Sequence, residues 1–158
     1  MSTVLIDEIT RALNRMKATG EFDQSIVNVL DRLANLFRES KEKWLTAPGT
    51  KASFYFFYGA RNAELVIYRM KERFLSSKQV NDNLKIVDDS LQIIGLLAEL
   101  LDLTRKEKPD GAVTKLTIEK VKELREVAAN TKLLLAEEKE LEDVDKLFQY
   151  RVKHEQYQ

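Results

Sequence analysis

A single histidine, His154, limits the chemistry this chain can perform, because no cysteine is present to share the work. A di-iron site in a helical protein needs a Glu-x-x-His pair on each of two helices. Arg151 stands three residues before His154, and there is no second histidine. Nucleophilic catalysis by Ser–His would depend on this one imidazole near the chain's end, and no Gly-x-Ser-x-Gly turn presents a serine. No glycine-rich phosphate loop occurs either. The residue inventory therefore predicts no catalytic residues, no metal ligands and no cofactor, and so a non-enzymatic protein.

One carboxylate constellation points the other way. Glu123-x-x-Glu126 is followed, after 13 intervening residues, by Glu140-x-x-Asp143. This pattern is similar to that of the all-α nucleoside triphosphate pyrophosphohydrolases of the MazG and dimeric dUTPase type, over about 21 residues. The resemblance implies four acids facing each other from two helices and holding Mg²⁺, a hard cation that takes oxygen ligands. The chain departs from that pattern because no turn signal separates the two pairs. A continuous helix would hold them about 25 Å apart. Solvated helix surface laced with ion pairs accounts for the same acids. A Mg²⁺-dependent pyrophosphohydrolase is thus the third functional reading.

Nucleic-acid association is the second. Arg38, Lys41 and Lys43 lie near the end of a predicted second helix, and Arg69, Lys71 and Arg73 near the end of a third. Cations there complement the negative ends of helix dipoles. Antiparallel neighbours put the two clusters at opposite ends, so they are not expected to merge. The formal net charge is zero and the isoelectric point about 6.6, without the basic footprint of a nucleic-acid-binding domain.

The elements that position these side chains read as helices throughout. Five glycines and two prolines punctuate 158 residues, so turns are few, and no period-2 alternation predicts a strand. Helix one spans Thr3 to Thr19 and stops at Gly20. Asp23 caps helix two, with Phe22 and Val27 as a hydrophobic staple, and Pro48-Gly49 ends it. Helix three runs from Thr50 to about Leu75, and helix four from near Ser77 to before Pro109. Helix five starts at Thr117 and, with no later Gly or Pro, continues towards Glu155, roughly 58 Å if unbroken, so it either kinks near Glu137-Glu138-Lys139-Glu140 or projects beyond the bundle. The expected fold is all-α: one domain over residues 1–158, an antiparallel four- to five-helix bundle with a long C-terminal helix. Residues 141–158 form an arm that projects or folds back. Phe56, Ile67, Met70, Leu84, Leu91, Ile94 and Leu97 are the predicted core. Gly59 and Gly95, equidistant from the turn near Ser77, are expected to face each other across a close helix approach.

Surfaces then carry the functional reading. Phe54-Tyr55-Phe56-Phe57-Tyr58 puts five aromatic side chains around a helix, and a helix apolar all round must be covered all round. With Phe56 inward, Phe57 and Tyr58 begin an outward stripe that runs through Arg61, Glu64, Tyr68 and Lys71. Leu141, Val144, Phe148 and Val152 form an apolar edge on the arm. Charge divides along the same line: 13 Lys and Arg against 9 Asp and Glu up to residue 79, and 13 against 17 beyond it. Complementary halves suit docking between subunits, or of the arm onto its own chain. The sequence therefore predicts a homo-oligomerising scaffold or adaptor with Phe57, Tyr58, Tyr68, Leu141, Val144, Phe148 and Val152 as contact residues. The expected partner is a second copy or another protein. No stretch approaches the ~20 apolar residues of a membrane span, and the start of the chain lacks a signal-peptide pattern, so a cytoplasmic location is expected.

Overall fold

A computed structural model describes residues 2–46, 51–76, 80–133 and 142–154, which are all-α, with six helices and no strand among them. α1 (Ser2–Thr19) carries Leu5, Ile9, Leu13 and Met16 at helical spacing, and all four are buried. Gly20 ends it at φ 71°, donating its N–H to the Met16 carbonyl at 2.8 Å. Gly is the residue that takes this left-handed position without a Cβ penalty. α2 (Ser25–Thr46) opens as the sequence predicts. The Asp23 carboxylate accepts from the Ser25 N–H at 3.0 Å and the Ser25 hydroxyl at 2.7 Å, and Arg15 reaches its other oxygen at 3.1 Å. Those hydrogen bonds, the Ser25 hydroxyl first, hold the Asp23 carboxyl below its ordinary range. Phe22 and Val27 both pack on the core at this entry.

α3 (Lys51–Ser76) is the central element. It packs on α2, on α4 (Val80–Thr104), on α5 (Gly111–Asn130) and on α6 (Glu142–His154), while α1 packs on α4 and α2. α2 and α3 run antiparallel: Trp44 packs on Phe56 with ring centres 4.7 Å apart and planes tilted by 30°, Arg38 meets Glu64, and Asp31 meets Lys71. The end of α2 also clasps the end of α4. The Trp44 indole N–H donates to the Thr104 carbonyl at 2.6 Å, and Lys43 donates to the Lys106 carbonyl at 3.1 Å. These contacts satisfy carbonyls that a helix terminus leaves without intrahelical partners.

The C-terminal third departs from expectation. α5 begins at Gly111, not Thr117, because Asp110 caps it by accepting from the Val113 N–H at 2.8 Å. It then stops at Asn130, so no single helix runs from Thr117 to Glu155. Leu133 N–H donates to the Ala128 carbonyl at 2.7 Å and Lys132 N–H to the Ala129 carbonyl at 3.2 Å, with Lys132 at φ 60°. This is a Schellman termination with lysine where glycine usually sits. Thr131 hydrogen-bonds back into the last turn, Leu133 is buried, and the Arg73 guanidinium of α3 donates to the Thr131 carbonyl at 3.0 Å.

Of the predicted core, Phe56, Ile67, Met70, Ile94 and Leu97 are buried and Leu91 is half-buried against them. The Leu84 side chain lies outside the described residues. The glycines do not face each other. A Cβ on Gly59 would meet Val121 of α5 at 3.1 Å and Leu100 of α4 at 3.6 Å, whereas one on Gly95 would point into open space. The turn-centred count gave a level along the helices, but it carried no information about rotation around them. No described helix is long and apolar enough to cross a membrane.

Candidate interaction surfaces on the third helix

The aromatic run of α3 is covered, and the chain's own C-terminal segment covers part of it. Phe56 turns to Trp44. Tyr55 and Tyr58 turn to α6, where Phe148 stacks on Tyr58 with ring centres 4.3 Å apart and meets Tyr55 edge-on at 5.9 Å. All three rings are buried. The Arg151 guanidinium lies 4.7 Å above the Phe54 ring, one turn along α6 from Phe148. Beneath this layer, the buried Asn62 donates to the Tyr58 carbonyl at 2.8 Å and accepts from Arg125 of α5 at 2.6 Å.

This arrangement corrects the expected contact surface. Tyr58 is fully buried and not outward, and Phe57 is half-buried. Phe148 is an internal anchor. Val144 and Val152 belong to α6, but their side chains lie outside the described residues, as does Leu141 altogether. The outer face of α6 instead shows Leu147, 46% exposed, and Tyr150, 62% exposed with its ring 4.5 Å from that of His154.

The stripe expected to face solvent after Phe57 forms the wall of a groove. Glu64 is buried, yet its carboxylate is held by two cations from α2: Lys41 at 2.8 Å and Arg38 at 3.1 Å. Arg38 also donates to the Tyr68 hydroxyl and to Asn35 Oδ1, so its planar fork is fixed on three acceptors. Around this centre lies a surface groove of about 700 Å³, lined by Arg38, Lys41, Arg61, Arg69 and Lys71, with Glu64, Glu72, Leu65, Tyr68 and Leu75. Arg38 and Lys41 of one basic cluster and Arg69 and Lys71 of the other therefore do share one surface, contrary to the sequence reading, whereas Lys43 turns to the Lys106 carbonyl and Arg73 to Asp89. Arg38 and Lys41 sit a turn or more inside the end of α2, at the level of Glu64. The signal was present: Glu64 is the sole acid between Lys51 and Lys71, and a lone carboxylate in an aromatic helix needs a cation.

The four acids of the pyrophosphohydrolase pattern are only half described. Glu123 and Glu126 are exposed on α5, with Glu123 3.5 Å from Lys120, which Glu99 holds more tightly at 2.9 Å. Glu140 and the Asp143 side chain lie outside the described residues. Among the described residues, no group of three or more His, Asp and Glu side chains is placed to hold a metal ion. No protein-family model, curated protein or solved structure matches this chain.

Proposed function

We propose that this chain is a non-enzymatic antiparallel helical bundle that acts through contacts with other proteins, as an adaptor and not as a homo-oligomerising scaffold. The observation that carries this reading is Phe148 buried on Tyr55 and Tyr58 of its own α3. The sequence offered Phe57, Tyr58 and the arm's apolar edge as the two halves of one contact, either between subunits or within the chain. Their union within one chain removes the need for a second copy. Among the described residues, the surfaces open to a partner include the charged groove between α2 and α3, where Arg and Tyr are residue types enriched at protein contacts, and the outer face of α6 with Leu147 and Tyr150.

Light scattering across a range of concentrations tests the reading. The expected result is a mass near the 18.3 kDa of one chain throughout, unchanged in Phe148→Ala. A dimer that Phe148→Ala dissociates would restore the scaffold, with α6 exchanged between copies. Thermal stabilisation by Mg²⁺ with a nucleoside triphosphate, lost in Glu123→Gln, would restore the hydrolase.

A further inference from the structure

We propose that the aromatic face of α3 is a helix-binding site, covered from within the chain by α6. Its partner is an amphipathic helix that presents an aromatic ring and, three residues later, an arginine. The proposal rests on the adaptor reading and names its surface and the chemistry of its partner. α6 itself shows what fits there. Its Phe148 ring stacks on Tyr58 with centres 4.3 Å apart and meets Tyr55 edge-on. Its Arg151 guanidinium lies 4.7 Å from the Phe54 ring centre and 5.4 Å from that of Tyr55. One ring and one cation, a helical turn apart, thus meet three aromatic rings, the helix-in-groove mode of recognition.

The platform does not depend on its cover. Phe54 stacks on Tyr58 with ring centres 5.9 Å apart and meets Tyr55 edge-on at 5.3 Å, so the three rings order one another. Beneath them Asn62 ties the Tyr58 carbonyl to Arg125 of α5, whose guanidinium also lies 5.8 Å from the Tyr58 ring. The helix that carries the rings is packed on α2, α4 and α5. A site fixed in this way before its ligand arrives loses little freedom on binding.

The cover, by contrast, is slight. α6 has 13 residues and among the described helices packs on α3 alone. Among its described side chains Phe148 is buried, Arg151 is half-buried and the others are exposed. Isolated helices below about 12–15 residues are marginal in water, so α6 depends on what it docks against. Segments held by few buried contacts open well below the free energy of global unfolding. Each opening bares Tyr55 and Tyr58, both otherwise fully buried, and aromatic residues are enriched at the cores of protein contacts. The tether gives α6 an effective concentration on the order of millimolar. An incoming helix therefore wins only by making more contacts than α6 does, and α6 sets the threshold for binding.

Fluorescence anisotropy on the full chain tests the site, with a labelled peptide of the α6 sequence, residues 142–154, as the probe. Phe148→Ala in the chain weakens the internal competitor and is expected to tighten peptide binding at least about tenfold over the wild-type chain. Arg151→Gln in the chain opens the site more mildly and is expected to tighten binding by less. It serves as the test if Phe148→Ala loses the helical circular dichroism of the bundle. In the peptide the signs reverse. There Phe148→Ala is expected to weaken binding at least about tenfold, and Arg151→Glu at least about twofold. Equal binding of the peptide to the opened and wild-type chains, or equal binding of the Phe148→Ala peptide, overturns the proposal. Light scattering on the same samples separates the two claims. A chain that is monomeric throughout and binds no peptide sinks the site alone. A dimer that Phe148→Ala dissociates makes the occupant a second copy's α6 and sinks the adaptor reading as well.

Discussion

The two flanks of α3 solve the same problem by different means. Each carries bulky groups that a single helix cannot hide. On the flank facing α5 and α6, Tyr55, Tyr58 and Asn62 are closed over by other elements: Phe148 stacks on the rings and Arg125 satisfies the amide. On the flank facing the edge of α2, the buried Glu64 is neutralised by Arg38 and Lys41, and a groove opens beside them. Apolar surface is hidden by any cover of the right shape, so a short helix suffices. A buried charge needs partners of opposite sign, and those partners prefer to keep contact with water. The aromatic flank is thus closed within the chain, whereas the ionic flank stays a groove.

The sharpest way to test this contrast is to remove the same ring from two places. Phe56 and Phe148 are both buried. Phe56→Ala opens a cavity against Trp44 between the two most extensively paired helices and is expected to cost about 3–5 kcal/mol in chemical denaturation. Phe148→Ala cannot cost more than the docking of α6, which among the described helices packs on α3 alone. Its global unfolding midpoint is expected to move much less, while amide exchange rises along α6 and at no other helix. Equal losses from the two variants would make α6 part of the cooperative core and break the distinction between a covered flank and an intrinsic one.

Next in size is an intrusion on the closed flank. Gly59→Leu places a branched side chain where even a Cβ would stand 3.1 Å from the Val121 methyl. Overpacking there is expected to cost about 1–3 kcal/mol. Glu64→Leu on the groove flank takes the carboxylate from Arg38 and Lys41, which border the groove and can turn to water, and is expected to fold with the smaller loss. The comparison is read from paired melting curves, and the reverse order would mean that the ionic flank holds the fold and the aromatic one does not.

Much of this architecture was legible in the sequence, for identifiable reasons. Helix periodicity, Gly20 and the Asp23 cap each act within a few residues, so local chemistry suffices to place them. The turn after α5 was missed because its left-handed residue is Lys132, and the expected marker there was glycine. Asp110 was missed as a cap although it follows Pro109 directly. The groove was misread because a stripe of Arg, Glu, Tyr and Lys has the composition of solvated surface. Only the rotation of α2 about its axis, which depends on the whole packing, turns Arg38 and Lys41 onto Glu64. The same gap misplaced Gly59 and Gly95, for which residue counting gave height but not facing.

The end of α5 carries a conformational cost that can be removed. Lys132 holds φ 60°, a region that costs an L-residue roughly 1 kcal/mol or more. Lys132→Gly relieves the Cβ conflict but loosens the unfolded chain, so the net expectation is stabilisation of about 0.5–1 kcal/mol. A rise in the thermal midpoint checks it. A fall would mean that the lysine side chain supports this corner more than its backbone strains it.

The smallest effect belongs to Gly95, and its value lies in the contrast with Gly59. Both glycines sit inside helices, where glycine is about 1 kcal/mol less favourable than alanine. At Gly95 the added methyl meets nothing within 4 Å, so the helix preference is gained without a packing penalty. Gly95→Ala is expected to stabilise by about 0.5–1 kcal/mol. At Gly59 the same methyl must displace Val121 by a few tenths of an ångström, and strain across the α3–α5 contact offsets the same helix gain. The difference between the two alanine variants therefore measures how tightly the closed flank is packed, with helix propensity cancelled. If Gly59→Ala stabilises as much as Gly95→Ala, α5 yields freely. The closed flank is then a loose cover, and tight packing no longer distinguishes it from the groove.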